Sequence, residues 1–229
     1  MKAIGIIGGM GPAATADLFG KIIAATGAAR DQDHLRIFVD NNPALPDRNA
    51  ALEGSGPSPG PMLAAMAAGL ERSGAGLIVM ACNTAHAFQP DIEAALAVPF
   101  VSMIDATVTA TLARAPHAKR VGVLAASGCV RAGLYQTAFA ARGVTALMTE
   151  GATHACFMDL VYRIKGGDTG AEVRAAMREV AQEILGSGVD ALVAGCTEAP
   201  LVLEQGDVSP PLIDSAAALA ERVVVLARG

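Results

Sequence analysis

The sequence predicts an α/β protein of two similar lobes, each a mostly parallel sheet flanked by helices, related by pseudo-two-fold symmetry. Three observations support this fold class. Short apolar runs alternate with longer helical stretches, a pattern typical of right-handed βαβ units. The 229 residues are 52% hydrophobic and 17% charged, which suits Ala-rich helices covering a parallel sheet. Segments of the first half also recur in the second half.

The alternating pattern predicts eight strands and nine helices. The strands are expected at residues 3–7, 35–39, 77–81, 100–103, 120–125, 144–148, 191–194 and 212–213. The helices are expected to begin near Pro12, Gly60, Ala85, Asp105, Arg131, His154, Gly170, Pro200 and Ser215. Residues 41–61 interrupt this rhythm with five prolines. A connection of that length predicts a functional loop.

The internal repeat predicts where the lobes divide. Three segments of the first half resemble segments of the second half in the same order, at offsets of 117, 114 and 109: residues 2–7 with 119–124, 74–82 with 188–196, and 103–105 with 212–214. One such match would mean little, but three in order favour two lobes. We place the first lobe at 1–104, completed by a C-terminal helix at 215–229, and the second at 105–214. The active site is expected in the cleft between them.

Charge and hydropathy exclude several classes of protein. A net charge of −5 and a pI near 5.3 argue against a general nucleic-acid binder. No apolar segment has the length needed to span a bilayer. The apolar run at residues 1–7 ends at Gly8 and Gly9, too early for a signal peptide. We expect a cytoplasmic protein with no nucleic-acid or membrane partner.

The four cysteines are too few and too far apart for a disulfide scaffold, and none forms a C-x-x-C zinc motif. They lie at positions 82, 129, 156 and 196. A buried, inert thiol is the default interpretation of each. Cys156, close to Phe157 and Leu160 on a helix, is expected in the core. Cys129 follows a turn and could touch a ligand, but we do not predict catalysis there.

Cys82 and Cys196 follow matching strands of the two halves. Ligands of parallel sheets bind beyond the carboxyl ends of the strands, so two facing lobes would bring both thiols to one cleft. Cys82 precedes Asn83 and Thr84 near a predicted helix start, where backbone N–H groups favour a thiolate. Cys82 with His86 could alternatively form half of a metal site. No further ligands are obvious, so we predict no metal.

Cys196 is flanked by residues suited to a ligand pocket. Gly195 permits a close approach of the backbone, and Thr197 and Glu198 offer hydrogen bonds. The buried-thiol interpretation applies here too. Because Cys196 matches Cys82 in the repeat, we favour a functional thiol over a buried, inert one.

A glycine-rich turn follows the first strand and supports a different class of function. Gly9, Gly11 and Ala14 match the G-x-G-x-x-A pattern, and Asp40 ends the next strand, as in a nucleotide-binding oxidoreductase. The pattern is short and often matched by chance. A tight turn whose N–H groups bind a small anion is the favoured interpretation.

Two acid–base groups on opposite sides of one carbon can invert its configuration. One thiolate removes an α-proton while the opposite thiol supplies one. A free thiol titrates near pH ~8.5, and a helix terminus or a histidine can lower this pKa. No Schiff-base cofactor is evident, so backbone amides with Asn83 and Thr197 would stabilise the enolate-like carboxylate. Arg48 and Lys165 could hold a side-chain carboxylate, although each taken alone could be a solvated charge.

Five motifs together resemble the aspartate/glutamate racemase family, most closely its aspartate racemases. They are Gly8-Gly9-Met10-Gly11-Pro12-Ala13-Ala14-Thr15, Pro46-Asp47-Arg48, Cys82-Asn83-Thr84-Ala85-His86, Ile164-Lys165-x-Gly167 and Gly195-Cys196-Thr197-Glu198. The resemblance spans essentially the whole chain. It implies a cofactor-independent, two-base racemase of a small dicarboxylic amino acid, commonly a homodimer. It also implies catalysis by Cys82 and Cys196 and a distal carboxylate bound by Arg48 and Lys165. The other substrate-binding residues are expected to be Met10, Gly11, Asn83, Thr84, Ser127, Thr197 and Glu198.

One turn departs from the family pattern. Residues 126–129 read Ala-Ser-Gly-Cys, where the family usually has Thr-x-Gly-Thr. Because this turn could bind the amino or carboxylate group of the substrate, the preference for aspartate over glutamate stays open. A broad-specificity amino-acid racemase, or another thiol-based isomerase of the same superfamily, is the alternative.

Overall fold

The computed structural model describes residues 1–229 and contains two parallel sheets, as predicted. The first has the order β2-β1-β3 and the second the order β5-β4-β6-β7. The strands are β1 (Ile4–Gly8), β2 (Ile37–Asn41), β3 (Leu77–Met80), β4 (Arg120–Leu124), β5 (Thr145–Met148), β6 (Ala191–Ala194) and β7 (Leu212–Asp214). We call each sheet with its covering helices a lobe.

Ten helices cover the sheets. They are α1 (Pro12–Thr26), α2 (Arg48–Glu53), α3 (Gly60–Arg72), α4 (Gln89–Ala94), α5 (Met103–Arg114), α6 (Ser127–Arg131), α7 (Leu134–Ala140), α8 (Gly151–Lys165), α9 (Ala171–Leu185) and α10 (Ser215–Arg228). Pro12 is at a helix start, where its missing N–H does no harm. The Asp214 carboxylate accepts hydrogen bonds from the first amides of α10. None of these helices combines the length and the hydropathy that a membrane-spanning segment needs.

The pairing of the strands gives the two lobes the same local topology. The first strand of each sheet is central: β1 pairs with β2 and β3, and β4 pairs with β5 and β6. The strands β1, β3 and β6 are buried along their whole length, which explains their continuous apolar sequences. Because β3 and β6 hold equivalent places, Cys82 and Cys196 follow equivalent strands.

The predicted strand at 100–103 is wrong. Phe100 forms only an isolated parallel bridge to Ile78, and Met103 already begins α5. Ser102 ends the extended segment because its hydroxyl accepts a hydrogen bond from the Asp105 amide and so caps the helix. The segments expected to start helices at Ala85 and Pro200 form only short 3₁₀ turns at first, Thr84–Phe88 and Ala199–Leu201.

The long proline-rich connection contains structure of its own. Asp47 caps α2 by accepting a hydrogen bond of 2.8 Å from the Ala50 amide, and Gly54 ends the helix in the left-handed conformation. No residue of α2 is buried. The sequence placed no helix in this segment, because six residues between prolines give no readable periodicity.

Two helices join the lobes. α10 packs against α1, and its Leu219 and Val223 share an apolar cluster with β1, whereas its Ala218 belongs to a cluster of the second lobe. In α5, Met103 and Ala106 belong to this first-lobe cluster, whereas Ile104 and Val108 belong to a cluster of the second lobe.

Candidate active site

A small cavity lies at the carboxyl ends of β3 and β6, with residues of both lobes in its walls. It is lined by Met10, Arg48, Asn49, Cys82, Asn83, Thr84, Ala126, Val161, Lys165, Cys196, Thr197 and Glu198. Both cysteines are buried free thiols. Nine residues singled out from the sequence are therefore gathered in one place. Of the other two cysteines, Cys129 is buried, but Cys156 is exposed. The core position expected for Cys156 is wrong, because Phe157 and Leu160 of the same helix are the residues that face the core.

Two of the predicted site residues do not line the cavity. Gly11 lies at its edge, since a Cβ built on Gly11 would be 3.8 Å from Glu198 Oε1. Ser127 begins α6, and its hydroxyl is 2.9 Å from His154 Nε2 on α8. The position of Ser127 at the helix start directs this hydroxyl to α8, and its neighbour Ala126 lines the cavity instead.

His86 contacts the backbone near Cys82. Its Nε2 accepts a hydrogen bond of 2.9 Å from the Met103 amide, so Nδ1 carries the proton and donates to the Cys82 carbonyl oxygen at 2.8 Å. Burial lowers the pKa of His86 to about 4. Both ring nitrogens are thus occupied in a neutral ring, which leaves neither for a metal. No group of three or more possible metal ligands occurs in the chain.

Cys196 is held as a thiol by its neighbour Glu198. Its Sγ donates a hydrogen bond of 3.0 Å to Glu198 Oε2, and the Thr197 hydroxyl donates to the same oxygen at 3.3 Å. Burial and the Glu198 charge raise the pKa of Cys196 well above its ordinary value, against the opposing effect of Lys165. In this state, Cys196 is a proton donor.

The two cations of the cavity differ in their partners. Lys165 Nζ forms an ion pair with Glu198 Oε1 and donates to the Met10 carbonyl oxygen at 3.1 Å. Burial is the largest single influence on the pKa of Lys165 and lowers it, but Glu198 and the two cysteines together raise the pKa above its ordinary value. The Arg48 guanidinium donates to the Pro46 and Leu45 carbonyl oxygens, at 3.0 and 3.5 Å. Arg48 is therefore the cation that has no carboxylate partner.

The Asn83 amide is occupied at both ends. Asn83 Nδ2 donates to Ser215 Oγ at 3.0 Å, and Tyr135 donates to Asn83 Oδ1 at 2.6 Å. The Asn83 side chain therefore links the end of β3 to α7 and α10. Tyr135 was missed because nothing in an apolar helical segment marks one tyrosine as different from a core residue.

The glycine-rich turn is tight for a local reason. Gly9 has a φ of +99°, and a Cβ there would lie 2.3 Å from the backbone of Asn42. The Gly9 amide donates to the Thr15 hydroxyl at 3.0 Å. This amide is not free to bind an anion or a nucleotide phosphate, and the turn instead presents the Met10 carbonyl oxygen to Lys165.

A two-lobed α/β fold with one free thiol at the equivalent strand end of each lobe fits the racemase class that the sequence motifs resemble. The family model described as "Asp/Glu/Hydantoin racemase" matches residues 7–223. The chain belongs to this family, and the resemblance read from its motifs is confirmed.

Three known proteins are similar to the chain over nearly its whole length. The chain is 28% identical to "Broad specificity amino-acid racemase RacX" of Bacillus subtilis (strain 168), over 96% of both chains. It is similar to Picrophilus torridus aspartate racemase, with a TM-score of 0.85, 30% identity and coverage of 100% of this chain and 95% of the other. PH1733, an aspartate racemase homologue from Pyrococcus horikoshii OT3, gives a TM-score of 0.79 at 26% identity, with both chains covered in full.

Proposed function

We propose that the protein interconverts L- and D-aspartate without an added cofactor, using Cys82 and Cys196 as its two acid–base groups. One observation carries the proposal: both free thiols line the same cavity and come from equivalent strands of the two lobes. A two-base inversion requires one group on each side of the reacting carbon, and two lobes that meet at one cavity can supply them.

The reaction starts with the Cys82 thiolate and the Cys196 thiol. The Cys82 thiolate takes the proton from Cα, which leaves an enolate-like carboxylate, and Cys196 then gives its proton to the opposite face of Cα. The product has inverted configuration, Cys82 is protonated and Cys196 is a thiolate. The other enantiomer reacts by the same steps in reverse. The hydrogen bond from Cys196 to Glu198 supports this assignment of the starting proton.

The charges of the cavity favour a dicarboxylic substrate. Lys165 is neutralised by Glu198, so Arg48 supplies the charge for the distal carboxylate, and a guanidinium can bind it through two parallel hydrogen bonds. Once substrate is bound, Lys165 can share that role. The similarity to Picrophilus torridus aspartate racemase favours aspartate, with glutamate as a second substrate.

A broad-specificity amino-acid racemase is the second candidate. It is supported by the similarity to RacX over 96% of both chains and by Ser127, which lies outside the cavity at the turn where the family pattern is altered. Such an enzyme would depend less on Arg48, because neutral amino acids have no distal carboxylate.

The decisive experiment is incubation with L-aspartate in D2O without added cofactor. We expect deuterium at Cα and the appearance of D-aspartate. L-glutamate, L-alanine and L-methionine are assayed in parallel, and equal rates on the neutral amino acids would favour the second candidate. Neither deuterium nor D-aspartate from L-aspartate would refute the aspartate proposal.

The mechanism has its own test in two matched variants. Cys82→Ser and Cys196→Ser should each lower racemisation by at least about 100-fold, because a serine hydroxyl is a far weaker acid than a thiol. Full activity in either variant would refute the two-base mechanism.

We also propose that the protein is a homodimer, as the resemblance to the family implies. Light scattering coupled to size exclusion should give twice the mass of the 23.1 kDa chain, and a monomer mass at assay concentration would reject it.

A further inference from the structure

We propose that Asn49 is a positioning residue that docks α2 on the second lobe and thereby places Arg48 for the distal carboxylate of the substrate. This inference rests on the proposed function, because it concerns how the same cavity binds its ligand. Asn49 lines the cavity beside Arg48.

Asn49 forms two hydrogen bonds to the second lobe. Its Oδ1 accepts from the Gly128 amide of α6 at 2.8 Å, and its Nδ2 donates to the Tyr162 hydroxyl of α8 at 3.3 Å. One short side chain on the long loop of the first lobe therefore reaches two helices of the other lobe.

Few other interactions hold α2 in place. No residue of the helix is buried, and its main packing partner is α6 rather than a helix of its own lobe. The approach to α6 is close, since a Cβ built on Gly128 would lie 2.7 Å from Asn49 Oδ1 and 3.0 Å from Leu52 Cδ1. Glycine at position 128 permits this contact.

The location of Arg48 depends on that docking. Arg48 is the first residue of α2, and its guanidinium bonds the Leu45 and Pro46 carbonyl oxygens of its own loop. Leu52 also packs against α6, but the two hydrogen bonds between α2 and the second lobe are both made by Asn49. If the loop shifts, Arg48 shifts with it, so the hydrogen bonds of Asn49 set the distance between the carboxylate-binding group and Cys196.

The test compares three variants with the wild type. Asn49→Ala removes both hydrogen bonds and should raise KM for aspartate about tenfold, with kcat changed less than about threefold. Tyr162→Phe removes one bond on the exposed side and should give an intermediate rise in KM. Glu53→Ala, on the same helix but exposed, should match the wild type. A merely structural role would lower the amount of folded enzyme without changing KM.

Hydrogen exchange provides a readout that is independent of turnover. Amides of residues 48–53 should exchange several-fold faster in Asn49→Ala than in the wild type or Glu53→Ala, because the docked helix opens more often. Unchanged exchange together with an unchanged KM in Asn49→Ala would overturn the inference, as would a fall in kcat alone. An inactive wild type that still shows the exchange difference would count against the proposed function and leave the docking role standing.

Discussion

Tyr135 donates a hydrogen bond of 2.6 Å to Asn83 Oδ1 in the interior between the two lobes. Tyr135 belongs to α7, whereas Asn83 directly follows Cys82 at the end of a first-lobe strand. Asn83 Nδ2 also donates to Ser215 Oγ at the start of α10. All three residues are buried, so this chain of hydrogen bonds holds the strand end with Cys82 against two distant helices.

Removing the Tyr135 hydroxyl should destabilise the fold. Tyr135→Phe leaves the buried Asn83 Oδ1 without a donor, which should lower the free energy of unfolding by about 1–3 kcal/mol. Racemisation should fall as well, because Asn83 directly follows Cys82 and a shift of Asn83 would displace the thiol. Urea denaturation measures the first effect. Tyr162→Phe is the matched control, since the same change at an exposed hydroxyl should cost less than about 0.5 kcal/mol. Equal losses in the two variants would contradict this role of Tyr135.

Glu198 should control the protonation of Cys196. In Glu198→Gln the negative charge next to the thiol is lost, so the pKa of Cys196 should fall and its thiolate should become more abundant. Alkylation of Cys196 by iodoacetamide at pH 8, followed in a Cys82→Ser background, should therefore become faster. Glu198→Asp keeps the charge and is the control. Slower alkylation in Glu198→Gln than in the control would show that the carboxylate does not suppress the thiolate.

Stability should decrease on acidification because of His86. Its pKa is about 4 in the folded state and near 6.5 when unfolded. Between pH 4 and pH 6.5 the unfolded chain protonates His86 and the folded chain does not. The contribution of neutral His86 to the free energy of unfolding is therefore complete above pH 6.5 and is lost as the pH falls toward 4. The expected loss between pH 7 and pH 5 is about 2 kcal/mol.

The histidine responsible can be identified by substitution. His86→Gln should be less stable than the wild type at pH 7. Its free energy of unfolding, measured by urea denaturation, should fall much less between pH 7 and pH 5. Burial also lowers the pKa of the partly exposed His154, so His154→Gln is the matched comparison and should flatten the pH dependence less. An unchanged pH dependence in His86→Gln would contradict the assignment.

A methyl group at Gly128 should disturb the contact between the lobes. In Gly128→Ala the new Cβ would lie 2.7 Å from Asn49 Oδ1 and 2.8 Å from Thr84 Cγ2, closer than real contacts allow. We expect a loss of about 1–3 kcal/mol in unfolding free energy and a higher KM for aspartate. Gly20→Ala is the control, because its Cβ meets nothing within 4 Å and a helical alanine should stabilise by about 0.5–1 kcal/mol. If Gly128→Ala changes neither the free energy of unfolding nor KM, then α2 and α6 can move apart without cost.

Some features were readable from the sequence because they are local or repeated. The buried central strands appear as continuous apolar runs, and the repeat locates the second sheet. The same repeat singled out Cys82 and Cys196 from Cys129 and Cys156. The strand expected at 100–103 failed because the capping hydroxyl of Ser102 outweighs a short apolar run, and the six residues of α2 are too few for a periodic signal.

By itself, the sequence determined the two-lobed α/β fold and the two strand-end cysteines, because periodicity and position in a repeat suffice for both, while the other site residues came from the resemblance of the motifs to the racemase family. Only the tertiary structure decided what each side chain contacts. His86 bonds backbone, Asn83 is occupied by Tyr135, Glu198 neutralises Lys165, and Ser127 bonds His154 outside the cavity. These pairings join segments far apart in the chain, and the close approach of packed elements selects one partner among many.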